Sequence, residues 1–199
     1  MLENLNQYLF LLLNAPAHPS GLMLAFSWVA AEYVIFIVPV YLVSGWLLSE
    51  TDNTKKQMLQ ALFSGLLALL IAQATGHFLP HPRPFMLEMG TNFLPHLPDP
   101  SFPSDHVTLI LAVAFSLTFS ATTRIFGAAL LAVGLLVAWA RIYLGVHFPF
   151  DMAGAFIIGL CSALLVQHIP DAFADGAYAI ARNIYRKAFS ALIKRGWLA

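Results

Sequence analysis

Five long apolar segments dominate the 199-residue chain: Leu22 to Leu48, Met58 to Leu79, Val107 to Phe119, Ile125 to Tyr143 and Met152 to Val166. Crossing about 30 Å of hydrocarbon takes about 20 helical residues, which the shorter segments reach with the help of their flanks. The rest of the composition agrees with a bilayer as the solvent. Hydrophobic residues make up 59% of the chain, charged residues 10%, and the mean hydropathy is +0.75, whereas soluble domains carry about 25% charged residues. A soluble globular fold is excluded, and the expected class is an all-α, polytopic membrane helix bundle with five to six transmembrane helices. The sixth span is in question because the run from Leu9 to Leu13 stops at Asn14, Pro16 and Pro19. It is too short to cross alone, and an interfacial or re-entrant helix is the preferred reading. No basic stretch precedes it, so the start reads as mature sequence rather than as a signal peptide. No linker or fixed-period repeat divides residues 1–199, which are read as one domain.

Zero net charge conceals an asymmetry. When the five spans are laid end to end, Lys55, Lys56, Arg124, Arg182, Arg186, Lys187, Lys194 and Arg195 fall on one side, and the remaining two cations, Arg83 and Arg141, fall on the other. The positive-inside rule makes the first face cytoplasmic, so the segments 80–103 and 145–151 are expected to face outward. Residues 173–197 alternate apolar and basic side chains and are read as an amphipathic cytoplasmic tail on the anionic leaflet. Nothing in this pattern suits a nucleic-acid partner. Cys161 is the one cysteine, which rules out an intramolecular disulfide and a cysteine-based metal cluster. Trp46, Trp139 and Tyr143 are read as interfacial anchors. The sequence carries no signal for oligomeric state.

Ionisable residues concentrate on the expected outer face. The segment 80–103 holds seven prolines, at 80, 82, 84, 95, 98, 100 and 103, and so must be an ordered loop rather than a helix. Three clusters converge there: His77 with Arg83 and Pro84, then Pro103-Ser104-Asp105-His106, then Arg141 with His147 and Asp151. Charged groups at a membrane edge are costly and mark function by default. Two guanidinium forks and a hydroxyl suit a tetrahedral, multiply charged oxyanion, and one histidine can attack phosphorus while another protonates the departing oxygen. Asp151, four residues beyond His147, is expected one helical turn away, holding the ring in one tautomer. Glu32, on the outer half of the first segment, either pairs with an arginine of this site or reaches headgroup level. The role of His81 stays open, and His18, His96 and His168 are read as hydrated interfacial residues. A metal transporter built on His77, His81, His106 and His147 fits poorly, because two adjacent arginines would repel a cation.

At these residues the chain closely resembles the type 2 phosphatidic acid phosphatase superfamily, whose three motifs are Lys-x6-Arg-Pro, Pro-Ser-Gly-His and Ser-Arg-x5-His-x3-Asp. The match runs from Gly76 to Asp151. The chain length, the Pro-Ser-Asp-His variant and the Gly-His opening are similar to the bacterial undecaprenyl-diphosphate phosphatases of the BcrC type. The resemblance implies a cofactor-free, metal-independent hydrolysis through a phosphohistidine. In it His147 is the nucleophile, Asp151 its orienting partner and His106 the general acid, while Arg83, Ser104 and Arg141 bind phosphate. It also implies a polyprenyl diphosphate substrate within the membrane lipids of the bacterial inner membrane, phosphatidylglycerol phosphate and phosphatidic acid being the alternative lipids. Three positions depart from the motifs. Gly76 stands where the lysine belongs, leaving the neighbouring His77 as a candidate substitute. Asp105 replaces the glycine of the second motif, beside the anion site, and Ala140 replaces the serine before Arg141.

Overall fold

The structure, a computed structural model, describes residues 1–195; the end of the tail read as 173–197, including Trp197, lies outside the described residues. Nine helices follow in chain order among them: α1 (Leu2–Leu13), α2 (Gly21–Glu32), α3 (Ile37–Leu48), α4 (Asp52–Phe78), α5 (Asp105–Thr118), α6 (Arg124–Tyr143), α7 (Pro149–Gln167), α8 (Asp171–Ala188) and α9 (Ser190–Lys194). Among the described residues four helical stretches are long and apolar enough to cross a membrane: 21–48, 52–78, 124–143 and 149–167. With α5 they are the five expected spans, and the chain is a multi-pass membrane protein.

The expected first span is not one continuous helix. A 3-10 turn at Val34–Phe36 joins α2 to α3. Pro39 lies one turn further on, and its ring excludes the carbonyl of Ile35 from regular α-helical pairing, which accounts for the break. Ser20 caps α2 by accepting from the Met23 amide, and Thr51 caps α4 by accepting from Thr54, each satisfying an otherwise unpaired donor of a first turn.

Helix α5 has 14 residues and is about 21 Å long, shorter than the hydrocarbon core. It can be short because it is central: α4, α6 and α7 pack around it, and Val107, Ile110, Leu111, Ala112, Val113, Ala114 and Leu117 are all buried. Small residues on its neighbours admit this close approach, as they do where helices meet without a hydrophobic driving force. A Cβ on Gly127 of α6 would stand 2.8 Å from the Ala114 carbonyl oxygen, and one on Gly159 of α7 3.0 Å from the Ala112 nitrogen. Backbone lies in the way at both positions, so neither can grow without separating the helices.

Helix α1 does not form a sixth span. The Glu3 carboxylate lies 3.3 Å from His81 Nε2, Asn6 accepts from the Phe150 amide at 3.0 Å, and Asn14 donates to the carbonyls of Thr91 and Tyr143 at 3.0 Å each. All these partners belong to the loop 80–103 or to the adjoining ends of α6 and α7, so α1 lies along the one face that they form. Its Phe10 ring is fully buried, edge-on against Phe148 at 5.2 Å. At the opposite end α8 docks on α3 and α4, where Tyr178 donates to Asp52 at 2.8 Å, Arg182 pairs with Asp52, and Trp46 packs against Tyr178 and Tyr185. The apolar side chains Phe173, Ile180 and Ile184 of α8 remain exposed, as an amphipathic helix at a membrane surface requires.

Candidate active site

The turn between α6 and α7 sets the position of His147. Gly145 there has φ of +86°, and a side chain on it would collide with the Thr91 carbonyl of the proline-rich loop. A residue without Cβ is therefore needed both for the left-handed conformation and for the close passage of the loop. The loop is stitched down beside it by a bond from the Phe93 amide to the Leu144 carbonyl, 3.0 Å long. His147 follows, outside any helix and 2% exposed.

Asp151 reaches His147 by a route other than the expected helical turn. Pro149 opens α7, and the Asp151 carboxylate folds back over that first turn, accepting from the Phe148 amide at 2.8 Å and from His147 Nδ1 at 3.2 Å. One oxygen thus caps the helix and orients the ring. On the other side of the imidazole, Arg83 Nη1 lies 3.1 Å from His147 Nε2. A guanidinium can only donate, so Nε2 must be the unprotonated nitrogen, and Nδ1 carries the proton that goes to Asp151. Of the two nitrogens, the one bearing a lone pair faces the cations.

Arg83 is held by loop atoms at every nitrogen. Nη1 also donates to the Val146 carbonyl at 3.0 Å, Nη2 to the Pro100 carbonyl at 3.3 Å, and Nε to the Asp99 carboxylate at 2.8 Å. Arg141, near the end of α6, sends Nη1 to the Ala31 carbonyl at 3.2 Å and to Glu32 at 3.3 Å, while its Nε is buried without a partner among the described residues. The Ser104 hydroxyl, at the start of α5, is likewise buried without a partner. Arg83, Ser104, Arg141, His147 and Asp151 are each 4% exposed or less. Burying charges and unpaired donors is costly, and unpaired donors in a cationic pocket suit an anion as ligand.

The remaining candidates divide. His106, on the first turn of α5, lies within electrostatic reach of the Arg141 and Arg83 guanidinium groups, which places it in the same cluster. Asp105 is tied to α4 by accepting from Gln73 Nε2 at 2.7 Å. His77 is exposed at the end of α4 with its ring against Phe78, and it makes no hydrogen bond to the clamp among the described residues. His81 is a bracing residue, bonded to Ser101 Oγ at 3.2 Å and to Glu3.

Two participants, Asp99 and His96, escaped the sequence reading, and the pairing of Glu32 with an arginine was one of its two alternatives. Asp99, Glu32 and His96 stand against Arg83, Arg141 and His147 respectively, Glu32 having been left between two roles. His96 was read as a hydrated interfacial histidine; instead its ring centroid lies 6.4 Å from that of His147, and its Nδ1 is 3.4 Å from Asp99. The available signal for Asp99 was a carboxylate amid the prolines that also hold Arg83. His168, by contrast, is exposed as expected and bonds its own helix at Leu164.

Burial first, and then the charges of Arg141 and Arg83, hold the His147 imidazole well below the ordinary histidine range. It is therefore neutral at physiological pH. His96 is lowered in the same direction, chiefly by burial. Burial works against ionisation of Asp99, but the hydrogen bond and charge of Arg83 outweigh it and keep the carboxyl below its usual value.

The chain is similar to known proteins over most of its length. A sequence profile described as the PAP2 superfamily matches residues 57–174. Escherichia coli (strain K12) YbjG is 36% identical over 199 residues, covering 100% of this chain and 99% of that protein. Bacillus subtilis (strain 168) undecaprenyl-diphosphatase BcrC is 28% identical over 191 residues, 96% of this chain and 97% of that one. The crystal structure of Aquifex aeolicus LpxE shares the fold, with a TM-score of 0.65 over 83% of this chain and 96% of the other, at 24% identity.

Proposed function

The chain belongs to the PAP2 superfamily, and from that premise we propose that it is an integral-membrane phosphatase cleaving undecaprenyl diphosphate to undecaprenyl phosphate and inorganic phosphate. The name of the full-length relative BcrC supports the substrate. One observation carries the chemistry: among the described residues the Ser104 hydroxyl and Arg141 Nε are buried and unpartnered, in the same cluster as the lone-pair nitrogen of His147.

In this reading Arg83, Ser104 and Arg141 bind the terminal phosphate. Nε2 of His147 attacks its phosphorus, the bond to the bridging oxygen breaks, and His106 gives that oxygen a proton as undecaprenyl phosphate leaves. Asp151 stabilises the positive charge that develops on the ring. Water, deprotonated by His106, then attacks the phosphohistidine and releases inorganic phosphate, restoring both histidines. Arg83 Nη1 must pass from Nε2 to a phosphate oxygen as substrate enters, freeing the lone pair at the moment it is needed.

The localisation that fits is the bacterial inner membrane, with the site on the outer face. Eight of the ten cations belong to the face opposite the site, which the positive-inside rule makes cytoplasmic. The carrier lipid would be regenerated on the outer leaflet for another round of cell-wall synthesis. The test is phosphate release by the purified protein from undecaprenyl diphosphate, phosphatidylglycerol phosphate and phosphatidic acid, each with a chelator present. Preferred turnover of the prenyl diphosphate is expected. Preference for either glycerolipid, or loss of activity with the chelator, overturns the assignment.

A further inference from the structure

Glu32 lies in the first span, ahead of the residues 57–174 that match the family profile, yet it reaches the clamp. The Arg141 guanidinium is 1% exposed, and its Nη1 is held twice, by the Ala31 carbonyl at 3.2 Å and by the Glu32 carboxylate at 3.3 Å. Both acceptors come from the last turn of α2. That turn ends at the 3-10 break before Pro39, and carbonyls of a last helical turn lack the amide four residues on that would otherwise occupy them. The break in the first span is thus what makes the Ala31 carbonyl available, while Glu32 adds a charge-assisted bond beside it.

Holding one end of a planar fork determines where the other end points. With Nη1 committed to α2, the edge of Arg141 carrying the unpartnered Nε is the one left for a phosphate oxygen. Each arginine of the clamp then has its own carboxylate: Asp99 anchors Arg83 at 2.8 Å, and Glu32 anchors Arg141. We propose that Glu32 is a positioning residue for the phosphatase reaction, fixing the rotation of Arg141 so that its Nε edge meets the transferring phosphoryl group. The inference rests on the phosphatase reading of this site but not on which lipid is cleaved.

A small misplacement of a charged group costs the transition state more than the ground state, on the order of 100-fold per ångström. Glu32→Ala is therefore expected to lower kcat about 10- to 100-fold, with a smaller change in KM. Glu32→Gln keeps an acceptor oxygen in place and should stay within about fivefold of the parent, the difference between a charged and a neutral hydrogen bond. In an Arg141→Ala background, Glu32→Ala should cost nothing further, because the residue acts through Arg141.

The parent, the two Glu32 variants, Arg141→Ala and its combination with Glu32→Ala are compared by steady-state kinetics on undecaprenyl diphosphate and, in parallel, on the lipid phosphate that the parent turns over fastest. Failure of the parent on the prenyl diphosphate then counts against the substrate alone. An undiminished effect of Glu32→Ala without Arg141 overturns the proposal. So does a Glu32→Gln protein as impaired as Glu32→Ala, or one in which KM alone changes. Should Glu32→Ala fail to accumulate in membranes, the comparison of Glu32→Gln in the two backgrounds decides the same question.

Discussion

Arg83 Nη1 donates to His147 Nε2 across 3.1 Å, so in the resting site the lone pair of the proposed nucleophile is occupied by a member of the proposed clamp. Substrate phosphate must draw the guanidinium off the ring, and arrival of the anion and release of the nucleophile become one event. Replacement of His147 by alanine should abolish turnover and any acid-labile phosphoenzyme trapped from labelled substrate. Arg83→Lys keeps a cation but loses the fork that reaches Asp99, Val146 and Pro100 together. It should lower kcat/KM by about 10²- to 10³-fold, as loss of one transition-state donor does. Retention of more than a few per cent of activity by the His147 variant would remove it from the nucleophile's role.

The Asp99 carboxylate holds Arg83 Nε at 2.8 Å while itself about half exposed. A charged hydrogen bond contributes about 1.5 to 3 kcal/mol, and solvent screening of the exposed partner takes this to the lower end. Asp99→Ala should therefore reduce kcat/KM about tenfold, and the loss should disappear in an Arg83→Ala background. Persistence there would mean that Asp99 acts on something other than Arg83.

The depressed titration of His147 has two consequences for pH. Its neutral, nucleophilic form persists well below the ordinary value of about 6.5, so the acid limb that it contributes to kcat/KM should lie below that pH. For folding, the sign is opposite to that of a salt-bridged histidine. Below pH about 6.5 the unfolded chain binds a proton that the folded chain refuses, so stability rises with pH through this window and falls as the solution is acidified, by up to about 1.4 kcal/mol per pH unit for one group. Thermal unfolding of the detergent-solubilised protein between pH 5 and 7 measures this. Substitution of His147 by asparagine should flatten the acid slope; an unchanged slope would assign it to other groups.

His106 and His147 can be told apart by the leaving group. Cleavage of a diphosphate expels a phosphate monoester, whose second pKa is about 6, and which departs near neutral pH with little help. A monophosphate expels an alkoxide about as basic as hydroxide, and it needs the proton. General acid catalysis contributes about 10²- to 10⁴-fold. His106→Ala should therefore lose much more activity on a lipid monophosphate than on the diphosphate, whereas His147→Ala should lose both alike. Equal losses for His106→Ala would make it a phosphate ligand instead.

Orientation is testable with single cysteines in a Cys161→Ala background, since the native thiol lies exposed on α7. Asn92, on the proline-rich loop, and Asn53, at the start of α4, are both exposed and lie at opposite ends of the bundle. A cysteine at position 92 should react with an impermeant thiol reagent in intact cells, and one at position 53 should not. The reverse pattern would put the site in the cytoplasm.

Much of this protein is legible along the chain because the governing quantity is local. Transfer of about 20 consecutive residues into hydrocarbon depends on their own side chains, so the spans appear in the sequence, as does the short α5 once its flanks are counted. The catalytic candidates are legible for the same reason: ionisable groups at span ends are rare enough to stand out, and three spaced clusters of them resemble a known pattern. What the tertiary structure decided are relationships whose energy exists only after the helices have closed around one another. Glu32 meets Arg141 across 109 positions, and Asn14 meets Tyr143 across 129, so neither the anchoring of the clamp nor the course of α1 along its face can be read from spacing. Asp151 orients His147, as the spacing suggested, but through a helix cap created by Pro149 rather than by a turn of helix. His77, the candidate substitute for the missing lysine, stays exposed against Phe78, whereas His96, read as hydrated, lies beside His147, because the position of each depends on how the proline-rich loop folds over α6 and α7. Pairwise contacts between distant segments carry no mark in either segment alone, whereas the hydropathy of a span is a property that the segment possesses before it meets anything.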